Sequence, residues 1–180
     1  MQPKEVLDFW FSDDHRKLWF RATPAFDALI RERFHSAWRD ARDGRFADWQ
    51  EDAEGALALV ILLDQFPLNM FRDQPESFAT EAAARRVADE AIRHGFDQCL
   101  DDRGKAFLYL PFMHSESLDD QDRSVALFGA AGLKENLRWA EHHRDIVHRF
   151  GRFPHRNLIL GRPSTPEETE WLASPEAFQG

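Results

Sequence analysis

Between Ala56 and Leu63 every residue is apolar, inside the stretch AEGALALVILLDQF that spans positions 53 to 66. A helix that is apolar all round belongs in an interior, with neighbours on every side. So short a run could also be a buried strand, but its alanines and leucines favour helix. At 100° per residue, Asp64 falls among Ala53, Leu57, Val60 and Ile61, near the middle of an apolar face. Burying a carboxylate is expensive unless it is paired or hydrogen-bonded. The central helix therefore delivers a polar group into the interior, and a basic side chain from elsewhere is expected to meet it.

The rest of the chain also reads as helices. A short amphipathic helix over Glu5 to Phe11 is followed by a short turn carrying Leu18, Trp19 and Phe20. Thr23-Pro24 is an N-cap with proline at the first helical position, and that helix stops at Gly44. Pro67 is expected to break the central helix, leaving residues 67 to 79 as a loop tucked onto the core. Thr80 is read as the cap of a helix closed by Gly95. Ser117 to Asp120 and Thr165 to Glu168 both resemble capping boxes. A long helix from about Leu133 closes at Gly151. No segment alternates apolar and polar convincingly. The expectation is one all-α domain over residues 1–180, its helices stacked as antiparallel hairpins.

Composition removes several function classes. A net charge of −9 disfavours nucleic acid and acidic membranes, both of which need a positive surface. The longest apolar run is too short to span a bilayer, and no signal-peptide pattern opens the chain, so a cytoplasmic protein is expected. A single cysteine, Cys99, excludes an internal disulfide and a multi-cysteine zinc site. No HExxH motif occurs and no two histidines stand four apart, so neither a metal nor a cofactor is expected. Nothing in the sequence speaks to oligomeric state.

Three polar clusters could carry chemistry. On the helix ending at Phe150, Trp139, Ile146, Val147 and Phe150 share one side, with His143 at its centre. His143 is then either a hydrogen-bonded core histidine or an acid/base group. From Arg138 to Arg162 there are six arginines against only Glu141 and Asp145, a local reversal of the overall charge. Within this stretch RFPHRN places Arg152, His155, Arg156 and Asn157 on a loop anchored by Phe153 and Pro154. Such arginines can turn inward and hold carboxylates in bidentate fashion, with Asp64 and Glu116 as the obvious partners. The third cluster, PFMHSE, brings His114, Ser115 and Glu116 directly after a buried segment. Ser115 lacks a nucleophile-elbow motif, which disfavours a serine-hydrolase reading.

Four blocks, VLDFWF (6–11), LLDQFPLNMFR (62–72), FLYLPFMHSES (107–117) and HRDIVHRFGRFPHRN (143–157), carry a resemblance. Together they resemble, in order and over nearly the whole chain, the bacterial family called domain of unknown function 924. The resemblance implies a helical superhelix similar to tetratricopeptide hairpins and brings no established activity. Its blocks match at Asp64, Gln65, Asn69, Arg72, His114, Ser115, Glu116, His143, Arg152, His155, Arg156 and Asn157. Leu68 stands where the family pattern usually has arginine, and Asp73 where it usually has glycine. The resulting expectation is a pocket for a small anionic molecule. Its catalytic groups would be His114 or His143 as general acid or base, oriented by Asp64 or Glu116, and its binding groups Asn69, Arg72, Arg152, His155, Arg156 and Asn157. The alternative is a tetratricopeptide-like scaffold that binds a peptide or partner protein, its polar cluster purely structural.

Overall fold

A computed structural model describes residues 1–19, 21, 23–175 and 177; Phe20, expected in the turn after the first helix, lies outside them. Among the described residues there is no strand. The helices are α1 (Pro3–Trp10), α2 (Asp13–Arg16), α3 (Pro24–Arg42), α4 (Ala53–Val60), α5 (Phe66–Met70), α6 (Glu81–Arg93), α7 (Asp102–Met113), α8 (Leu118–Ala130), α9 (Lys134–Phe150) and α10 (Pro166–Leu172). The all-α expectation is met. The chain resolves into two compact units, one of residues Met1–Arg72 with Glu76–Pro111, the other of Asp73–Pro75 with Phe112–Gly180.

In the first unit the apolar stretch is the core helix that its sequence demands. Every residue from Gly55 to Pro67 is buried. Ala53–Met70 is also the one described segment long and apolar enough to cross a membrane, and 83% of it is buried inside the fold. Against it packs an aromatic cluster. Trp10 stacks near Trp19 and meets Phe66 and Phe107 edge-on, at 5.5 and 5.6 Å between ring centroids. Phe34 joins through Phe66 at 4.6 Å.

The expected break at Pro67 does not occur. Between α4 and α5 the chain widens into a π-helical turn, Ile61–Gln65, and continues as helix through the proline. A proline inside a helix removes an N–H and pushes against the carbonyl four residues back. Here that carbonyl belongs to Leu63, and the Thr80 hydroxyl donates to it at 2.5 Å. Thr80 is thus not the side-chain cap of α6, as its sequence position suggested. Its oxygen also accepts from Trp38 Nε1 at 3.1 Å, so one buried hydroxyl links α3, the π turn and the start of α6. Pro111 is likewise carried inside α7 rather than interrupting it.

The second unit is built on the hairpin of α8 and α9, joined through Gly132 at φ 70°. Its apolar core is Ile146, Val147, Phe153 and Trp171, with Phe150 and Leu172 packed alongside. The Thr165–Glu168 capping box forms as expected. The one at Ser117 does not, since the Ser117 side chain makes no cap bond. Asp120, its supposed acidic member, instead accepts from Ser115 Oγ at 2.6 Å. Asp73 has φ 61°, a left-handed conformation that glycine adopts without strain and aspartate tolerates better than most residues.

Candidate functional site

The expected site residues divide between the two units. In the first, Asp64 is 1% exposed, and Gln65 Nε2 donates to its carboxylate at 2.6 Å. Asn69 and Arg72 converge on a carboxylate the sequence did not single out, that of Asp27 on α3. Asn69 Nδ2 donates to it at 2.8 Å, and Arg72 grips it with Nε at 2.8 Å and Nη2 at 3.2 Å. This side-by-side engagement is the strong form of an arginine–carboxylate contact. It ties the end of α5 to α3.

In the second unit Phe153, fully buried, is the hub of the polar cluster. The His143 and His155 rings lie 5.5 and 5.6 Å from its centroid, and the Arg156 guanidinium stacks over it at 4.8 Å. Such stacking lets a buried guanidinium keep a favourable electrostatic contact on its flat face. The loop is held in place by Glu116, which accepts from the Phe153 amide at 2.8 Å. Glu116 also accepts from Arg162 Nη1 at 2.7 Å and Nη2 at 2.9 Å. Arg162 therefore engages Glu116 in bidentate fashion.

A second knot lies beside this one. Arg152 Nε and Nη2 donate to the two oxygens of Glu168, at 2.6 and 2.8 Å, and Nη2 also reaches the Pro163 carbonyl. Asn157 Nδ2 donates to Glu168 at 3.2 Å, and its Oδ1 accepts from Arg162 Nε at 3.0 Å. Arg152 and Asn157, expected to bind ligand, thus fix α10 to the loop. Glu168 could have been read from the sequence, because a capping box turns its third-position glutamate back toward the preceding chain. Arg162 stood in the arginine-rich stretch but was given no role.

One expectation, on α9, is corrected. Trp139, placed on the inward face of α9, is 52% exposed, because the buried face runs through Ala140, His143, Ile146 and Val147. Ser115, the residue a nucleophile reading would use, spends its hydroxyl on Asp120 and on the Ser117 amide at 3.2 Å, closing the turn into α8. Gln121, wholly buried and unforeseen, directs Nε2 at the carbonyls of Met113 and Ser115, at 2.7 and 2.6 Å, satisfying the end of α7.

The electrostatics of the cluster follow from burial and from its cations. Burial pushes the His143 pKa down to about 3 despite a hydrogen bond to the Trp139 carbonyl, and His114, His142 and His155 lower it further. Because a carbonyl can only accept, that 2.8 Å bond places the proton of His143 on Nδ1. His155 is pushed down to about 4, first by burial, then by Arg156, with Arg162 and His114 adding to the effect and Glu116 opposing it. Both imidazoles are neutral at pH 7. For Glu116 burial raises the pKa, but the Arg162 hydrogen bonds and the Phe153 amide outweigh it and leave the group below its ordinary value. Glu168 is drawn down to about 2, chiefly by Arg152.

All four shifts have the same sign in stability. The unfolded histidines take up protons below their ordinary value of 6.5 while the folded ones do not, so stability falls as pH drops below that value. The depressed carboxylates add stability above their ordinary value of 4.5, and for Glu168 it is lost down to about pH 2. The melting temperature should therefore be level above about pH 7 and fall from about pH 6.5, more steeply below about 4.5. In His155→Gln the first part of this decline should be weaker. An unchanged profile would mean that folding does not lower the proton affinity of His155.

Among the described residues, no three His, Cys, Asp or Glu side chains are placed to hold a metal ion. The histidines, Glu116, Arg156 and Arg162 can together offer lone pairs and fixed positive charge. A structure-level comparison finds a solved protein of unknown function from Agrobacterium tumefaciens, 45% identical. Its TM-score is 0.90, and the match covers 95% of this chain and 96% of the other. No curated protein matches the sequence. The family profile described as bacterial protein of unknown function (DUF924) matches residues 6–176, and the chain belongs to that family.

Proposed function

We propose that the cluster around Phe153 binds a small anionic molecule, with neutral histidines as hydrogen-bonding groups beside it. The observation that carries this reading is geometric: the Arg156 guanidinium stacks over Phe153 at 4.8 Å, beside the same ring as His143 and His155. Arg156 and Arg162 lower the affinity of the buried His155 imidazole for a proton, with only Glu116 opposing them. A field that repels a proton attracts a carboxylate or phosphate. Arg156, buried and stacked on Phe153, presents a guanidinium whose planar fork suits both groups. His143 and His155 are neutral at pH 7 and so add no charge beside the anion, while their lowered proton affinity makes them weak bases. His114, which influences both of them, belongs to the same group.

The test is a thermal-shift titration with phosphate, sulfate and acetate, with sodium chloride as the ionic-strength control. At ten times the dissociation constant, wild type should gain about 3–5 °C. Arg156→Gln, compared with its own ligand-free melting temperature, should gain little. Equal gains in both proteins, or none beyond the chloride control, would leave the cluster a purely structural network.

A further inference from the structure

We propose that the groove where the amino ends of α4 and α7 meet α1 is a separate ligand site, one that takes a small organic cation carried on an apolar body. The groove lies wholly within the first unit and has a volume of about 680 Å³. That falls within the range of small-molecule sites, roughly 300–1,000 Å³. Its floor is apolar, formed by Leu7 of α1 and Phe11 just after it, with Leu57 and Leu100. Its rim carries Asp52, Glu54 and Asp101 against the single cation Arg103, a formal balance of −2.

Two helix amino ends open here, and by themselves they would favour an anion. Both are already answered from within the chain. Asp52 Oδ1 accepts from the Gly55 amide at 2.8 Å, and Asp101 Oδ1 accepts from the Gly104 amide at 2.8 Å. With the helix ends capped, an arriving anion would meet three carboxylates, whereas an arriving cation would meet their outward charge. Arg103 pairs with Asp101, its Nε 3.5 Å from Oδ2, so the charge left facing outward is about that of two carboxylates. A bare metal ion would gain nothing from the apolar floor, and no trio of ligands is placed for one among the described residues. An amine on an aryl or alkyl body uses both features, its apolar part on Leu57 and Phe11 and its ammonium at the rim.

The chain supplies its own reporter, because Cys99 is its sole cysteine, is exposed and lines this groove. The experiment compares phenethylamine, 2-phenylethanol and 3-phenylpropionate. Binding is read by calorimetry and by the rate at which iodoacetamide alkylates Cys99. Phenethylamine should bind tightest and slow the alkylation, with the neutral alcohol about tenfold weaker and the carboxylate weaker still. The double variant Glu54→Gln/Asp101→Asn removes two charges while asparagine keeps the α7 cap. It should weaken phenethylamine about tenfold, keep its melting temperature, and leave 2-phenylethanol unaffected. Equal binding of amine and alcohol, an unaltered affinity in the double variant, or unprotected Cys99 would each overturn the proposal.

Discussion

Gly55→Ala should destabilise the protein by about 3 kcal/mol or more, lowering the melting temperature by about 6–12 °C. The usual effect of this change in a helix is the opposite, a gain near 1 kcal/mol from helix propensity. Gly55 sits in the first turn of α4, where the 3₁₀ turn Ala47–Glu51 crosses it. A Cβ built on Gly55 would lie 2.1 Å from the Trp49 carbonyl oxygen and 2.9 Å from its carbon. These are backbone atoms, so no rotamer can relieve the contact; the turn or the helix must move. Trp49 is itself buried and stacked on Phe46 at 4.4 Å, which resists displacement of the turn. Gly129 provides the control, being helical and exposed, with Leu137 at 3.9 Å the nearest atom to its added Cβ. Gly129→Ala should be neutral or stabilising by up to about 1 kcal/mol. Chemical denaturation of the two variants decides the matter, and equal behaviour would refute the close approach at Trp49.

Thr80→Val should cost about 2–4 kcal/mol although the two side chains have nearly the same shape. Valine fills the volume but leaves the Leu63 carbonyl without the hydroxyl that donates to it, and Trp38 Nε1 without its acceptor. Each buried polar group stranded in this way costs about 1–3 kcal/mol. The Leu63 carbonyl is vulnerable because Pro67, four residues on, has no N–H to offer it. Thr80→Ser keeps the hydroxyl and should recover most of the loss, short of about 1 kcal/mol for the missing methyl. If serine is no better than valine, packing of the methyl and not the hydrogen-bond chain holds this junction. Trp38 fluorescence reports the same event locally, since its indole N–H passes from a protein acceptor to none.

The helical class, the identity of the core helix and most helix ends are legible in the order of the residues. Those are local properties: apolar residues crowd the stretch around Leu59, while Thr23-Pro24, Gly44, Gly95, Gly151 and the Thr165–Glu168 box act on their immediate neighbours. The sequence also placed His143 inward on α9 and grouped it with His114, His155 and Arg156, because helical periodicity and an apolar anchor such as Phe153 determine direction. Pairing was decided only by the tertiary structure. Asp27 for Arg72, Glu168 for Arg152 and Arg162 for Glu116 are separated by 45, 16 and 46 residues, and no local rule connects such partners. The same holds for Pro67, whose effect on the helix depends on a hydroxyl thirteen positions away in Thr80. Local geometry is written in near neighbours; which charge meets which, and whether a proline ends a helix, depends on what the folded chain brings alongside.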